Sequence, residues 1–501
     1  MNRPSFDVLT QPWIPVVRMD GSRDEMGILR CLGEAHDLRE IRDPSPIVEF
    51  GIHRLLVAFV LDALILANCR PEDPLDLRSL IEDRQFDTSV FENYVDLCGN
   101  VFDLFHPDVP FLQYAEASGD PKSIFDFYPV FPSGANVVHF SHQTSQEQIE
   151  GPSGVARLLV TVSPFNVKVK TGQPRTIIGD PPIYALPVGE SLYETIILNL
   201  PLPDPRFTTK EETENGPIWR SLPRDGQSGT TPTQSFTWPC RFVRVSPPDG
   251  DDCVRSIINN KGLGALLGWK DPSCAVFAGD DAKLRHLRFE EARPLWLDAG
   301  PLSFYSGGSM RRWGNKEWAF VRPQVIDNAL AARSGEDQQI RFYAWRTDQA
   351  KVFEWVRAQW SIPSRLGQST RLGSLVQHEL DRAERAAYAL RGSIKALYPR
   401  EGAGNRDALR CIGDRCERAY WQHLEYGFHP LMSAFAALDP DAPDDPALIA
   451  ATAKDWREAV RTLALEQFEL AAKDMDADAD ALERQVHART RLNNTIRKVL
   501  S

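Results

Sequence analysis

Three groups of residues in this 501-residue chain come nearest to a known chemistry. Asp474, Asp476 and Asp478 alternate as the first ligands of a calcium loop do. Such a loop needs glycine next and a bidentate glutamate at its twelfth position, and the sequence has Ala479 and Gln485 there. The carboxylates read better as a helix N-cap. Lys261-Gly262-Leu263-Gly264 followed by Gly268 suggests a phosphate cradle, but the spacing is GxGxxxG and no Gly-Lys-Ser/Thr follows. Cys411, Cys416 and His423 carry metal-binding atoms, yet they lie along one expected helix with no second ligand pair, so packed thiols are the better reading. His53, His106, His139, His142 and His286 are scattered, and no HExxH, HxH or GxSxG phrase joins any of them to a nucleophile or a metal. No catalytic residue can be named, and neither a metal nor a cofactor is expected.

The elements that would position any site fall into two textures. From Phe6 to about Ile362 the chain is rich in Pro, Gly, Phe and Trp and shifts between short strand-like and helical periods. Arg157–Val162, β-branched and bounded by Gly154 and Pro164, and Cys240–Val245 read as strands. Pro46 to Asn68, apolar and free of proline after its first turn, reads as a helix. After Gly367 come four nearly proline-free segments with helical apolar spacing: Leu372–Leu397, Ala408–Leu438, Ala447–Asp474 and Ala479–Val499. The expected class is α+β, with a mixed α/β domain over residues 1–366 and a four-helix bundle over 367–501.

Composition narrows the function classes. A hydrophobic share of 42% and a charged share of 25% are globular values and argue against wholesale disorder. The longest apolar run, Leu55 to Ala67, is broken by Asp62 and is shorter than the roughly 20 residues that cross a bilayer. Met1 to Val17 holds three prolines and no continuous apolar stretch, so no signal peptide is expected and the protein is placed in the cytoplasm. Eight cysteines without a CxxC pair suggest reduced, mostly buried thiols. The net charge of −12 argues against indiscriminate coating of nucleic acid. The acidic stretches Asp249–Asp252 and Asp439–Asp445 can sit far from a basic face, so local patches must decide.

Three phrases in order carry a resemblance. Leu9-Thr10-Gln11-Pro12-Trp13-Ile14-Pro15-Val16 fits L-x-x-x-W-I-P-V, and His106-Pro107-Asp108-Val109-Pro110-Phe111-Leu112-Gln113 fits H-x-x-x-P-F-[ML]-Q. Arg346-Thr347-Asp348-Gln349-Ala350 is similar to an R-x-N-Q-A element that precedes a C-terminal helical bundle. In these the chain resembles CasA, the large subunit of the type I-E CRISPR surveillance complex Cascade, over nearly its whole length. The resemblance implies a DNA-binding subunit without enzymatic activity. It would read the short PAM in double-stranded target DNA, wedge the duplex open and hold strands while guide RNA pairs. Its implied partners are the crRNA 5′ handle, the Cascade backbone and small subunits, and a separate helicase-nuclease.

The same resemblance assigns roles residue by residue. Gln349 matches the wedge glutamine that enters the base stack beside the PAM; the plainer alternative is a surface glutamine beginning a helix. Asp348 stands where the family has asparagine, and an anion there must accept a base amine or pair with Arg346. Lys261, upstream of Trp269-Lys270-Asp271-Pro272-Ser273-Cys274, is the candidate for the minor-groove lysine, with a solvated loop lysine as the alternative. The family's glycine-rich PAM loop corresponds to a stretch whose one glycine is Gly172, and Lys168, Lys170 and Arg175 around it are candidates for phosphate contacts or for a solvated strand end. Phe140, His142 and Gln143 fall in the segment matching a loop that meets the RNA handle and PAM-side DNA, where Phe140 stacks on a base or packs in the core. Some relatives tie this loop with zinc through cysteine pairs that are absent here, so no zinc is expected. Basic residues on two bundle helices, among them Arg385 and Arg491, either track a displaced strand or form solvated faces. A stand-alone metal-dependent nuclease or hydrolase is the alternative from another class.

Overall fold

The computed structural model describes residues 4–128, 149–165, 176–248, 252–266, 268–278, 284–290, 293–304, 306–311, 317–348, 351–398, 403–473 and 479–501. For residues 126–127, 306–311, 317, 346–348, 351–354 and 403–409 it describes the backbone alone. The class is α+β: helices with small antiparallel sheets. The chain divides into two compact units, one of Met1–Phe289, Pro323–Ser334 and Gln338–Gln359, the other of Glu290–Arg322, Gly335–Asp337 and Trp360–Ser501.

The first unit is built around the helix Pro46–Leu66, which starts with proline in its first turn and is buried on every side. It ends two residues before the expected Asn68, whose φ of 53° is a left-handed conformation that asparagine tolerates. A three-stranded antiparallel sheet, in the order Arg23–Met26, Ile14–Arg18, Leu38–Ile41, holds the N-terminal phrase. Its Trp13 is fully buried and donates from Nε1 to the Val8 carbonyl at 2.9 Å. In a second sheet the strand Gln338–Asp348 lies between Tyr184–Val188 and Lys351–Ile362, with Tyr343 opposite Tyr184. A third sheet runs Lys122–Ser123, Ser256–Lys261, Arg241–Val245 and puts Lys261 opposite Arg241. The expected strand at Cys240–Val245 is therefore present, one residue shorter.

Arg157–Val162 is not a strand. The backbone forms the helix Pro152–Leu159 and then the short helix Val162–Phe165. Pro152 suits a first helical turn, and Val155, Ala156, Leu158 and Leu159 gather on one buried face. Arg157 donates from Nε to the Trp13 carbonyl at 2.7 Å. Packing of that face outweighs the strand preference of Val160, Thr161 and Val162.

In the second unit the helix Thr370–Leu397 packs against Ala403–Leu424, Lys454–Lys473 and Ala479–Leu500. Two expected helices are subdivided. Ala408–Leu438 is broken by a 3-10 turn at Glu425–Gly427 before Phe428–Ala436. A Cβ on Gly427 would lie 3.1 Å from the Trp456 ring, and the turn lets Phe428 pack on Trp296 at 5.5 Å. Ala447–Asp474 is observed as Pro446–Thr452, capped by Asp445, followed by Lys454–Lys473. Asp474, Asp476 and Asp478 lie outside the described residues. Four cysteines are buried, two half-buried, and Cys69 and Cys411 exposed. Among the described residues no helix is long and apolar enough to cross a membrane.

Candidate nucleic-acid interface

Lys261 is the one candidate in the PAM-reading and RNA-loop segments whose side chain the structure describes. It is exposed at the end of the strand Ser256–Lys261, and the chain after it is fixed at every second or third residue. A Cβ on Gly262 would collide with the Pro239 carbonyl oxygen and lie 2.5 Å from the Arg241 nitrogen. This glycine thus serves a close approach of two backbones, with no phosphate involved. The Leu263 N–H donates to the Pro239 carbonyl (2.9 Å), the Leu266 N–H to the Ile177 carbonyl (2.8 Å) and Trp238 Nε1 to the Gly264 carbonyl (3.1 Å). Beneath them lies an apolar platform of Val162, Ile177, Phe207, Trp238, Cys240, Leu263 and Trp269.

Lys168, Lys170, Gly172 and Arg175 lie outside the described residues, but both flanks of their segment are described. Ile177 belongs to the platform under Lys261. Phe165 packs edge-on against Tyr184 at 5.3 Å, Phe50 at 5.7 Å and Trp345 at 5.5 Å. Trp345 immediately precedes Arg346. The helix Val162–Phe165 contributes Val162 to one cluster and Phe165 to the other. The roots of three candidate segments are consequently tied to one short element.

Arg346, Thr347 and Asp348 complete the strand Gln338–Asp348, and Lys351 begins the next strand. The described residues on both sides of Gln349 are in strands. Gln349 itself lies outside the described residues, as do Phe140, His142 and Gln143. The ends of the segment holding these three meet: Tyr128 donates to Glu150 Oε2 at 2.5 Å, and Glu150 pairs through its backbone with Val254 at 2.9 and 2.7 Å. Val254 precedes the strand that ends in Lys261, so this root and Lys261 mark its two ends, roughly 20 Å apart at about 3.4 Å per residue.

Sequence reasoning missed the buried charges that brace this region. Arg54 and Asp271 form an ion pair at 2.6 Å with side chains only 3% and 0% exposed. Arg54 also lies 4.1 Å from the centre of the Phe236 ring. Asp271 accepts from the Ser273 N–H (2.9 Å), and its own N–H donates to His286 Nε2 (3.2 Å). Burial pushes His286 down to about 4, leaving it a neutral acceptor. The Trp269–Cys274 phrase is therefore a buried brace. Glu49, 1% exposed, receives Arg341 Nη1 at 3.0 Å and the Tyr343 hydroxyl at 2.5 Å, and ion-pairs with Arg357 Nε at 3.1 Å. Glu40 takes Arg341 Nη2 at 2.7 Å. Desolvation raises the Glu49 carboxyl above its ordinary range, against the pull of these donors. Asp62 accepts from Arg220 Nε and Nη2, each at 2.8 Å, and from the Tyr94 hydroxyl at 2.7 Å. One signal was available: Glu49, Arg54 and Asp62 are charges inside an apolar helix, and buried charges require partners.

The tempting chemistry does not assemble. Cys411 is exposed and Cys416 buried on one helix, and His423 Nδ1 faces the Ala419 carbonyl at 2.7 Å. His53 is buried, with Nδ1 on the Glu49 carbonyl at 2.8 Å. Among the described residues no group of three or more His, Cys, Asp or Glu side chains is placed to hold a metal ion.

Comparison with known proteins agrees with this architecture. The chain is 28% identical to the CRISPR-associated protein CasA/Cse1 of Thermus thermophilus over 95% of its own length and 94% of that protein's. A crystal structure of Thermus thermophilus CasA superposes with a TM-score of 0.77, at 24% identity, over 99% of this chain and all of that one. A chain of a CRISPR RNA-guided surveillance complex superposes with a TM-score of 0.73, at 18% identity, over 98% and 99% of the two chains. The model of the CRISPR-associated protein Cse1 family matches residues 7–467, and the chain belongs to that family.

Proposed function

We propose that this chain is the large, non-catalytic subunit of a type I-E Cascade complex acting in the cytoplasm. It recognises the PAM in target duplex DNA, promotes strand opening and R-loop formation, and recruits the helicase-nuclease. The observation that carries this reading is the shared anchoring of the candidate segments. The flanks of 166–175, the loop after Lys261 and the strand leading to Gln349 all rest on two apolar clusters that meet in Val162–Phe165. DNA reading by several chain segments requires such a common base, because a contact gains specificity only when its position is held.

In this reading Lys261 reaches acceptors on base edges in the minor groove, where the pattern is degenerate and several PAM sequences are tolerated. Gln349, with Arg346, Thr347 and Asp348 beside it, enters the stack and offsets an unstacking cost of a few kcal/mol per step. Lys168, Lys170, Gly172 and Arg175 approach the phosphates, and Phe140, His142 and Gln143 meet the RNA handle. The backbone and small subunits complete the assembly. The test is gel-shift binding of crRNA-loaded complex, with and without this chain, to duplexes with randomised PAM positions. Adding the chain should confer PAM selectivity, and Lys261→Ala or Gln349→Ala should lower it roughly tenfold, about 1.4 kcal/mol. A complex equally selective without the chain refutes the reading.

A further inference from the structure

The strands Gln338–Asp348 and Lys351–Ile362 flank Gln349 in sequence, and the structure holds them to the core at two levels. Nearer Gln349, Trp345 and Trp355 pack with Phe50, Phe165 and Tyr184. Farther away, two hydrogen-bond donors and one further cation converge on one buried carboxylate of the central helix. Arg341 and Tyr343 of the first strand donate hydrogen bonds to Glu49 Oε1, and Arg357 of the second strand ion-pairs with the same oxygen at 3.1 Å without a hydrogen bond. Glu40, on a neighbouring strand, takes the outer nitrogens of both arginines, at 2.7 Å from Arg341 and 3.6 Å from Arg357. Two carboxylates thus meet two guanidiniums. Arg341 Nε also donates to Gln359 Oε1 at 3.1 Å, linking the two strands directly.

A buried salt bridge is weak evidence for stability, since desolvation consumes much of its Coulomb gain. Its better-attested effect is geometric: charge-assisted bonds fix where their partners sit. Here both strands are referred to a single oxygen atom, so their tilt against the helix Pro46–Leu66 is set at that point. From Arg341 to Asp348 the strand extends about 23 Å at roughly 3.3 Å per residue. A tilt of about 10° at the base would move the Asp348 end by roughly 4 Å, about one base step of 3.4 Å.

We infer that Glu49 is a positioning residue for strand opening: by clamping Arg341, Tyr343 and Arg357 it sets the angle at which the paired strands present Gln349 to the duplex. The inference rests on the proposed role of Gln349. Glu49 contributes no side chain to the aromatic level, although Tyr343 belongs to both levels; Trp345 and Trp355 hold the strands folded when the clamp is loosened, and only their angle is freed.

The experiment uses the assembled crRNA-loaded complex and separates three readouts: assembly, PAM-dependent binding, and opening followed by 2-aminopurine fluorescence beside the PAM. Glu49→Gln should assemble normally and change initial binding less than twofold, while opening slows about tenfold. Tyr343→Phe, which keeps the ring and removes one donor, should give an intermediate slowing of about threefold. Both defects should vanish on a duplex already mismatched beside the PAM, because no wedge is then needed. A merely structural role would instead reduce assembly or binding on the mismatched duplex as well, and that result overturns the inference. So does normal opening by Tyr343→Phe together with Glu49→Gln. If Glu49→Gln does not fold, Tyr343→Phe decides alone. Should Gln349→Ala itself open DNA at the normal rate, it is the role of Gln349 that fails.

Discussion

Replacing Asp271 by asparagine isolates the charge of the buried brace. The substitution keeps an oxygen that can accept from the Ser273 N–H and leaves the shape nearly unchanged. What it removes is the counter-ion of Arg54, which is 4% exposed. Among the described residues, two of the guanidinium nitrogens, Nε and Nη1, have no hydrogen-bond partner. Among the described residues the cation keeps the face of Phe236 and, at 5.4 Å, the Tyr184 ring, an attraction of roughly 2 kcal/mol for a desolvated cation. Removing one partner of a buried pair costs about 3–5 kcal/mol, since the other charge is left uncompensated. The loss should be local at first, so hydrogen exchange in a peptide spanning residues 263–274, measured against urea, is the suitable assay. Asp271→Asn should lose about 3 kcal/mol of protection there, and 1 M salt should not change the loss, because buried pairs are poorly screened. Arg54→Met combined with Asp271→Asn should regain at least half of it. A single variant costing under about 1 kcal/mol, or a double variant no better than the single, would refute the account.

Further expectations follow for both units. Gly262→Ala should lower the urea midpoint of the first unit and weaken PAM-dependent binding together, because its Cβ collides with Pro239 and Arg241; unchanged stability would show that the two backbones can separate freely. Burial holds His53 and His286 down to about 4, against about 6.5 when unfolded. The unfolded chain therefore takes up protons first, so their contribution is complete above about pH 6.5 and is lost towards pH 4, at roughly 3 kcal/mol per histidine. Urea midpoints measured from pH 7 down to 4.5 should fall, and His286→Gln, which keeps an acceptor for the Asp271 N–H, should flatten the slope. An equal slope in that variant would remove His286 from the account. Asp381, raised to about 6 by burial in the second unit, acts in the opposite sense, favouring the fold as the pH falls through that value.

The bundle was legible because helical apolar spacing over twenty or more residues needs no long-range information. The helix Pro46–Leu66 was legible for the same reason. Arg157–Val162 was misread because β-branched residues at a helix end look like a strand until the buried face of Val155 to Leu159 is known. The turn at Glu425–Gly427 depends on Trp456, some thirty positions away in sequence, and nothing local announces it. At the candidate interface the phrases marked the strand before Gln349, which the structure contains, and nominated Lys261. They gave no account of Gly262, which resembled a phosphate loop and is a packing glycine. The braces lay beyond reach because Arg54 and Asp271 are 217 positions apart and Glu49 and Arg341 292. Only the cost of an unpaired charge in an apolar helix hinted that such partners exist.

The short helix Val162–Phe165 has a consequence for descent. One turn of backbone supplies a residue to each of two clusters, one beneath Lys261 and one beneath the strand that leads to Arg346. A lineage cannot resize one cluster without shifting the other through this joint. Change in the two clusters is thereby coupled in inheritance: Trp269 and Trp345, which lie in different clusters, are expected to change in step across relatives, with Val162 and Phe165 recording the exchange.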